Sequence, residues 1–256
     1  MSGPESIDPG FQFDPSVPHP ARVYGYWLGG KDHYPADREV AEEVILRRPQ
    51  VVSGARANRA FLARVVRFLA AGRGIRQFLD IGTGLPAPAS THQVAQAIAP
   101  DSRIVYVDND PLVLVHARAL LTSGPQGSCG YVEADLRNTS AVLAGATQTL
   151  DLTRPVAVLL LAVLHFLPGT DDPAEVVAAL TPRLAPGSFV VISHLTSDFA
   201  PGQVATGVEA YNALVPSPLV FRERPRRWQV HLQRPSRHPT VPVVVRRRVE
   251  TRSATP

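Results

Sequence analysis

The chain has 256 residues, 26 Lys+Arg against 22 Asp+Glu, a formal net charge of +4 and one cysteine. That length suits one domain or a domain with a small extension, and 45% hydrophobic residues provide for a buried core, which excludes wholesale disorder. The lone Cys129 excludes an internal disulfide framework and a cysteine-based zinc site, so no metal is expected.

Residues 1–20 are Pro-rich and polar and read as an extended or disordered lead-in. They lack the basic and apolar regions of a secretory signal, and no apolar run approaches the ~20 residues of a membrane span. A soluble, cytoplasmic protein with no membrane partner is therefore expected. The aromatic and glycine-containing segment ARVYGYWLGGKDHYPADREV follows, then an acidic helical stretch over 38–48. Helix is clearer over 58–71, where Phe61, Leu62, Val65, Val66 and Leu69 share one face and Arg64 and Arg67 lie opposite. Gly72 and Gly74 stop it.

From residue 73 the chain alternates. Short apolar runs over 77–82, 103–110, 130–137, 156–167 and 188–195 read as five buried strands. Helical stretches are expected over 91–99, 111–122, 172–184 and 203–214. Strand and helix at this spacing predict an α/β fold: a Rossmann-like, doubly wound, mostly parallel sheet with helices on both faces. The organisation expected is a lead-in over 1–20, a helical segment over 21–72, the sheet core over 73–221 and a tail over 222–256.

The first strand runs into Asp80-Ile-Gly-Thr-Gly-Leu-Pro, where Gly82 and Gly84 allow a tight turn and close backbone approach to a ligand. A tight turn without a ligand is the plain alternative. A dinucleotide fingerprint wants a third glycine at residue 87, which is Ala, and Pro86 and Pro88 delay the helix, which argues against a pyrophosphate on the helix end. The second strand ends in Asp108-Asn109-Asp110. Asp108 lies 26 residues after Gly82, where a carboxylate can accept both ribose hydroxyl protons, while Asp110 before Pro111 suits a helix cap. The third strand ends in Glu133-Ala-Asp135-Leu136: Asp135 could accept an adenine amino proton with Leu136 against the ring, or simply cap a turn.

Together these residues resemble a class I S-adenosylmethionine-dependent methyltransferase, whose acidic-x-Gly-x-Gly loop is matched by Asp80, Gly82, Thr83 and Gly84, and whose strand-end acids are matched by Asp108 and Asp135. The likeness is closer still to an actinobacterial group of such methyltransferases long catalogued as a domain of unknown function. It rests on ARVYGYWLGGKDHYPADRE, ARANRAFLARVVRFLA, FLDIGTGLP, VYVDNDP, ADLR and LLLAVLHFLP, and spans about residues 18–220. The resemblance implies S-adenosyl-L-methionine as cofactor and a small-molecule acceptor. It places Asp80 or its loop near the cofactor's amino acid moiety, Asp108 and Asn109 at the ribose, and Asp135 and Leu136 at the adenine. It makes 21–72 a lid over the cofactor, with Tyr24, Tyr26, Gly29, Gly30, Lys31, Asp32 and Arg59 helping to close the pocket; a turn at LGG with an aromatic clamp is the plainer reading. Gly25 and Ala57 depart from the group's pattern.

Beyond the ends of the fourth and fifth strands lie His165, His194 and Asp198, on the expected acceptor side. Histidine is a general base suited to neutral pH, although a strand-end histidine is often structural. The tail does not fit. Residues 1–221 hold 16 basic and 20 acidic side chains, whereas 222–256 hold ten Arg, two Glu and five Pro. The basicity thus belongs to the tail, and the folded part is not expected to bind nucleic acid. The tail reads as a basic arm, a disordered extension or, the favoured account, a shifted-frame translation of the family's last helix and hairpin. The final antiparallel hairpin is accordingly expected to be missing or altered, leaving the fifth strand as a bare edge; only 241–245 could form a strand, interrupted by Pro242. Other functions remain open: a non-catalytic cofactor-binding protein or enzyme remnant, a nicotinamide-dependent oxidoreductase, and a tail-driven nucleic-acid module.

Overall fold

The computed structural model describes residues 14–168, 170–196 and 201–222, together with the backbone of 243–246. The order is α1 (Pro20–Leu28), α2 (Pro35–Arg47), α3 (Gln50–Arg67), β1 (Gln77–Ile81), α4 (Thr91–Gln96), β2 (Arg103–Asp108), α5 (Pro111–Leu120) and β3 (Ser128–Glu133). It continues with α6 (Thr139–Ala146), β4 (Ala157–Leu161), α7 (Pro173–Leu180), β5 (Phe189–Ser193), α8 (Pro201–Asn212) and β6 (Val243–Arg246). All strand pairs are parallel, in the order β3-β2-β1-β4-β5-β6. The connections leave β1 toward β2 on one side and β4 lies on the other, so a crevice opens at the carboxyl ends of β1 and β4.

Alternate residues of each buried strand serve opposite faces. Leu79, Ile81, Val105, Val107, Val158 and Leu160 pack with Val142 and Leu143 of α6 and Val177 and Leu180 of α7. Phe78, Ile104, Tyr106 and Leu159 pack with Leu62, Val65 and Val66 of α3 and Val94 of α4. A third cluster joins Val23 and Trp27 of α1, Val40 and Val44 of α2, and Tyr211 of α8. Each such side chain contributes roughly 1.5–3 kcal/mol on full burial. The N-terminal helices and α8 thus form one roof, and α3 belongs to both roof and sheet layer.

The helix ends explain several boundaries. Pro20 opens α1 behind His19, and Gly29 in the left-handed region closes it. Asn138 caps α6 by accepting from Ala141 N. The sequence TSAVLAGA of α6 has no polar face, so periodicity did not reveal it. The fourth apolar run is strand only through Leu161; Ala162 at φ 57° breaks it, and Leu164–Phe166 form a 3-10 turn. His165 therefore sits in a turn beyond the strand.

The fifth strand is not a bare edge. Val243–Arg246 pairs with β5 in parallel from Val190 to Ser193, beginning directly after Pro242, which has no N–H to give a ladder. Among the described residues there is no antiparallel strand. Residues 1–13 of the lead-in, Asp198 and the rest of the tail past 222 lie outside the described residues. Among the described residues no helix is long and apolar enough to cross a membrane.

Candidate active site

The loop after β1 is held by backbone. Gly82 N and Thr83 N donate to Val107 O at 2.8 and 3.2 Å, which ties the turn to the end of β2. Gly82 at φ 71° and Gly84 at φ 65° occupy the left-handed region, where L side chains are strained. A Cβ on Gly82 would also lie 2.4 Å from Val163 Cγ2. The helix after the loop begins only at Thr91, so the loop backbone rather than the helix end faces the crevice.

Asp80, 5% exposed, accepts from Thr91 Oγ1 at 2.6 Å. Burial pushes its carboxyl up to about 6, opposed by the Thr91 hydrogen bond and the Arg59 charge and assisted by Asp108. Arg59 lies across the loop, donating through Nη2 to Ala87 O at 2.8 Å and through Nε to Pro88 O at 3.2 Å. Asp108 is also buried. Its Oδ2 accepts from Gly84 N at 2.9 Å and its Oδ1 from Asp110 N at 3.0 Å. Burial raises its pKa against these two bonds. Each oxygen retains acceptor capacity, as two ribose hydroxyls require.

Asp110 caps α5, accepting from Leu112 N at 2.9 Å, and its Oδ2 lies 3.0 Å from His19 Nδ1. Burial alone would raise the Asp110 pKa; the His19 hydrogen bond and charge reverse that and hold it below the usual carboxylate value. Arg22, paired with buried Asp37 at 2.9 Å, adds its guanidinium 3.7 Å from Asp110. The roof is thus fastened to the sheet beside Asp108. Asp135 reaches the same crevice, clamped by Arg137 Nε at 2.9 Å and Nη2 at 2.6 Å, and that hydrogen bonding lowers its pKa.

Tyr24, Arg59, Asp80, Gly82, Thr83, Gly84, Asp108, Asn109, Asp135 and Leu136 all line one cleft with about 1190 Å³ of empty space, part of it open to solvent. Gly29, Gly30 and Lys31 lie away from it. Gly29 N donates to Tyr26 O and Gly30 N to Gly25 O, at 2.9 and 3.0 Å, the pairing that stops a helix, and Lys31 follows exposed. Tyr26 turns outward to Glu42 at 2.9 Å, and Asp32 faces His116 at 3.8 Å. The roof meets the cleft instead through His19, Pro20, Ala21 and Tyr24.

A second, mostly apolar cavity adjoins the first. Pro20, Tyr24, Asn58, Ala162 and Phe166 line both. A hydrogen-bond chain crosses this shared wall: Ala162 N donates to Ser193 Oγ (2.9 Å), Ser193 Oγ to Asn58 Oδ1 (2.7 Å), Asn58 Nδ2 to Tyr24 OH (3.1 Å), and Tyr24 OH to Ala55 O (3.1 Å). Asn58, Ser193 and Phe166 are not singled out by the sequence, which names only Tyr24 of this shared wall. His165 and His194 both line the second cavity, with ring centroids 5.6 Å apart. Burial lowers the His194 pKa, leaving a neutral ring at pH 7. Its Nδ1 sits 2.6 Å from Leu195 O and its Nε2 3.4 Å from Arg222 Nη1. Arg222 also donates to Leu164 O at 3.1 Å and Leu167 O at 2.8 Å, so it clamps the turn that carries His165. Among the described residues no group of three His, Cys, Asp or Glu is placed to hold a metal.

The first cleft fits S-adenosylmethionine on its own geometry: a glycine turn that a Cβ would fill, two buried carboxylates with spare acceptor capacity, and an apolar Leu136 beside Asp135. The model of the family described as S-adenosyl methyltransferase matches residues 8–229. A solved structure of a DUF574 family protein from Streptomyces avermitilis MA-4680 is 43% identical, covering 82% of this chain and 81% of that chain at a TM-score of 0.80. A methyltransferase candidate from Thermobifida fusca YX is 39% identical, covering 80% of this chain and 77% of that chain at a TM-score of 0.74. No curated protein matches. The match reaches past Arg222, so the clamp on the His165 turn lies inside the matched region. With cofactor loop, strand-end acids and sheet order in agreement, the chain belongs to the S-adenosyl methyltransferase family and is an S-adenosylmethionine-dependent enzyme.

Proposed function

We propose that the enzyme methylates a small molecule held in the second cavity. The observation that carries this reading is the wall of Tyr24, Asn58, Ala162 and Phe166 common to both cavities. It allows a cofactor in one and an acceptor in the other to meet without crossing solvent. Residues of α1, α2, α3 and α8 line this cavity, which has about 950 Å³ of empty space, part of it open to solvent. Bound S-adenosylmethionine supplies an electrophilic methyl group: the acceptor atom forms a bond to the methyl carbon, the carbon–sulfur bond breaks with its electron pair on sulfur, and the acceptor loses a proton.

The chain's part is to align and to exclude water. Asp108 accepts the ribose hydroxyls, the Gly82–Gly84 backbone and Asp80 receive the amino acid end, and Asp135 with Leu136 holds the base. His165 or His194, both on the wall of the second cavity, takes the acceptor's proton. The test is release of S-adenosylhomocysteine over a panel of small-molecule acceptors. With a turned-over acceptor, His165→Ala lowers kcat. Full turnover in the His165→Ala, His194→Ala double variant sinks the base assignment. A panel of peptides that turn over while small molecules do not sinks the acceptor class.

A further inference from the structure

The following inference rests on the methyl-transfer reading and names the acceptor more closely. We propose that the second cavity takes an uncharged, ring-sized apolar molecule bearing an O–H or N–H group, and that Asn58 and Ser193 select it over a carboxylate or an ammonium.

The wall between the two cavities offers a countable set of protons and lone pairs. Ser193, 7% exposed, ends β5 and lines the second cavity. Its single hydroxyl proton goes to Asn58 Oδ1 at 2.7 Å, and its oxygen accepts Ala162 N–H at 2.9 Å, which leaves one lone pair. Asn58 Nδ2 places one N–H on Tyr24 OH at 3.1 Å and keeps the other, while Oδ1 keeps a lone pair beside the Ser193 bond. Tyr24 has committed its own proton to Ala55 O at 3.1 Å. Ser193 and Asn58 therefore present two acceptor positions and one donor.

A hydroxyl matches that set: its proton meets a lone pair and its oxygen can take the remaining Asn58 N–H. A neutral N–H meets the lone pairs equally well. A carboxylate brings no proton and sets its oxygens against those of Ser193 and Asn58. An ammonium finds no Asp or Glu on the cavity wall. Arg48 is the one guanidinium among the lining residues, and its aliphatic stem lies against α8, with Cβ and Cδ each 3.2 Å from the place a Cβ on Gly207 would take. Apart from His165 and His194, the remaining wall is largely apolar and aromatic, with Trp27, Phe166, Val51, Val208 and Leu219 lining it.

The experiment uses the full chain saturated with S-adenosylhomocysteine and titrated with 2-naphthol, 2-naphthoate and 2-naphthylmethylammonium, three probes with one ring body. The expected result is saturable naphthol binding at least about tenfold tighter than either charged probe. In Ser193→Ala and in Asn58→Ala that preference shrinks to less than about threefold. Val208→Ala weakens all three probes alike. Should one polar variant fail to fold, the other still reads the preference; Ala162 N keeps Ser193 O as partner at 3.1 Å when the hydroxyl is removed. Equal or tighter binding of naphthoate or the ammonium, an unchanged preference in the folded variants, or binding of none of the three overturns the inference. Failure of S-adenosylhomocysteine itself to bind is a separate result and overturns the reading beneath it.

Discussion

Asp108 holds Gly84: its Oδ2 accepts the Gly84 N–H at 2.9 Å from the neighbouring strand's end, fixing the glycine turn from below. The same carboxylate takes Asp110 N at 3.0 Å, so one buried side chain orders the glycine loop and the start of α5. Asp108→Asn leaves one carbonyl oxygen for two N–H donors and turns an amide toward one of them. The expected cost is about 1–3 kcal/mol in stability, with S-adenosylhomocysteine binding weakened at least about tenfold. Denaturant melts and calorimetric titration measure both; an unchanged affinity contradicts the ribose role.

Gly82→Ala meets two obstacles at once, a left-handed φ of 71° and a contact of 2.4 Å with Val163 Cγ2. The variant is expected to lose about 1–3 kcal/mol and most cofactor affinity. Adding Val163→Gly removes the contact, including the 2.7 Å approach to Val163 Cβ, but not the backbone strain, so the double variant recovers only part of the loss. Full recovery in thermal melts and titration would show that φ plays no part.

Much of this arrangement was legible in the chain. Pattern alone gave five strands, because each is a short apolar run closed by Gly, Asp or Pro. Spacing placed Asp80, Asp108 and Asp135 at strand ends, and Asp110 before Pro111 read as the cap it is. The LGG segment was harder. Its glycines resemble a ligand loop, a helix stop uses the same residues, and in the fold Gly29 N bonds to Tyr26 O and Gly30 N to Gly25 O. The shared wall was not legible, because Asn58 and Ser193 lie 135 residues apart and meet only through tertiary packing. The short strand Val243–Arg246 was legible only as a candidate over 241–245, since an isolated valine run beside proline gives no register or partner.

Asp80 gives a pH dependence whose sign follows from its raised pKa. The folded protein holds the proton up to about pH 6, against a reference of 3.8 unfolded. Its contribution to stability is full below about pH 4 and is lost as pH rises through about 6, a change on the order of 2–3 kcal/mol for the protein without cofactor. Asp108, also raised, adds in the same direction, and Asp110, lowered, opposes it only at more acid pH. The difference in stability between wild type and Asp80→Asn, measured from pH 4 to 7, should therefore narrow toward neutral pH or change sign. A constant difference contradicts the assignment.

Removal of residues 223–256 strips Val243–Arg246 from β5 and exposes the N–H and C=O groups of an apolar edge from Val190 to Ser193. The shortened chain is expected to aggregate at concentrations where the full chain stays monodisperse. Light scattering during size-exclusion chromatography reads this directly, and equal behaviour of the two chains argues that β6 covers nothing of consequence.

The most direct test of the whole account is calorimetric titration of the full chain with S-adenosylhomocysteine and with NAD. The account predicts saturable binding of S-adenosylhomocysteine at one site, greatly weakened in Gly82→Ala, and no binding of NAD. Binding of NAD without S-adenosylhomocysteine, or S-adenosylhomocysteine binding that Gly82→Ala leaves untouched, would contradict it.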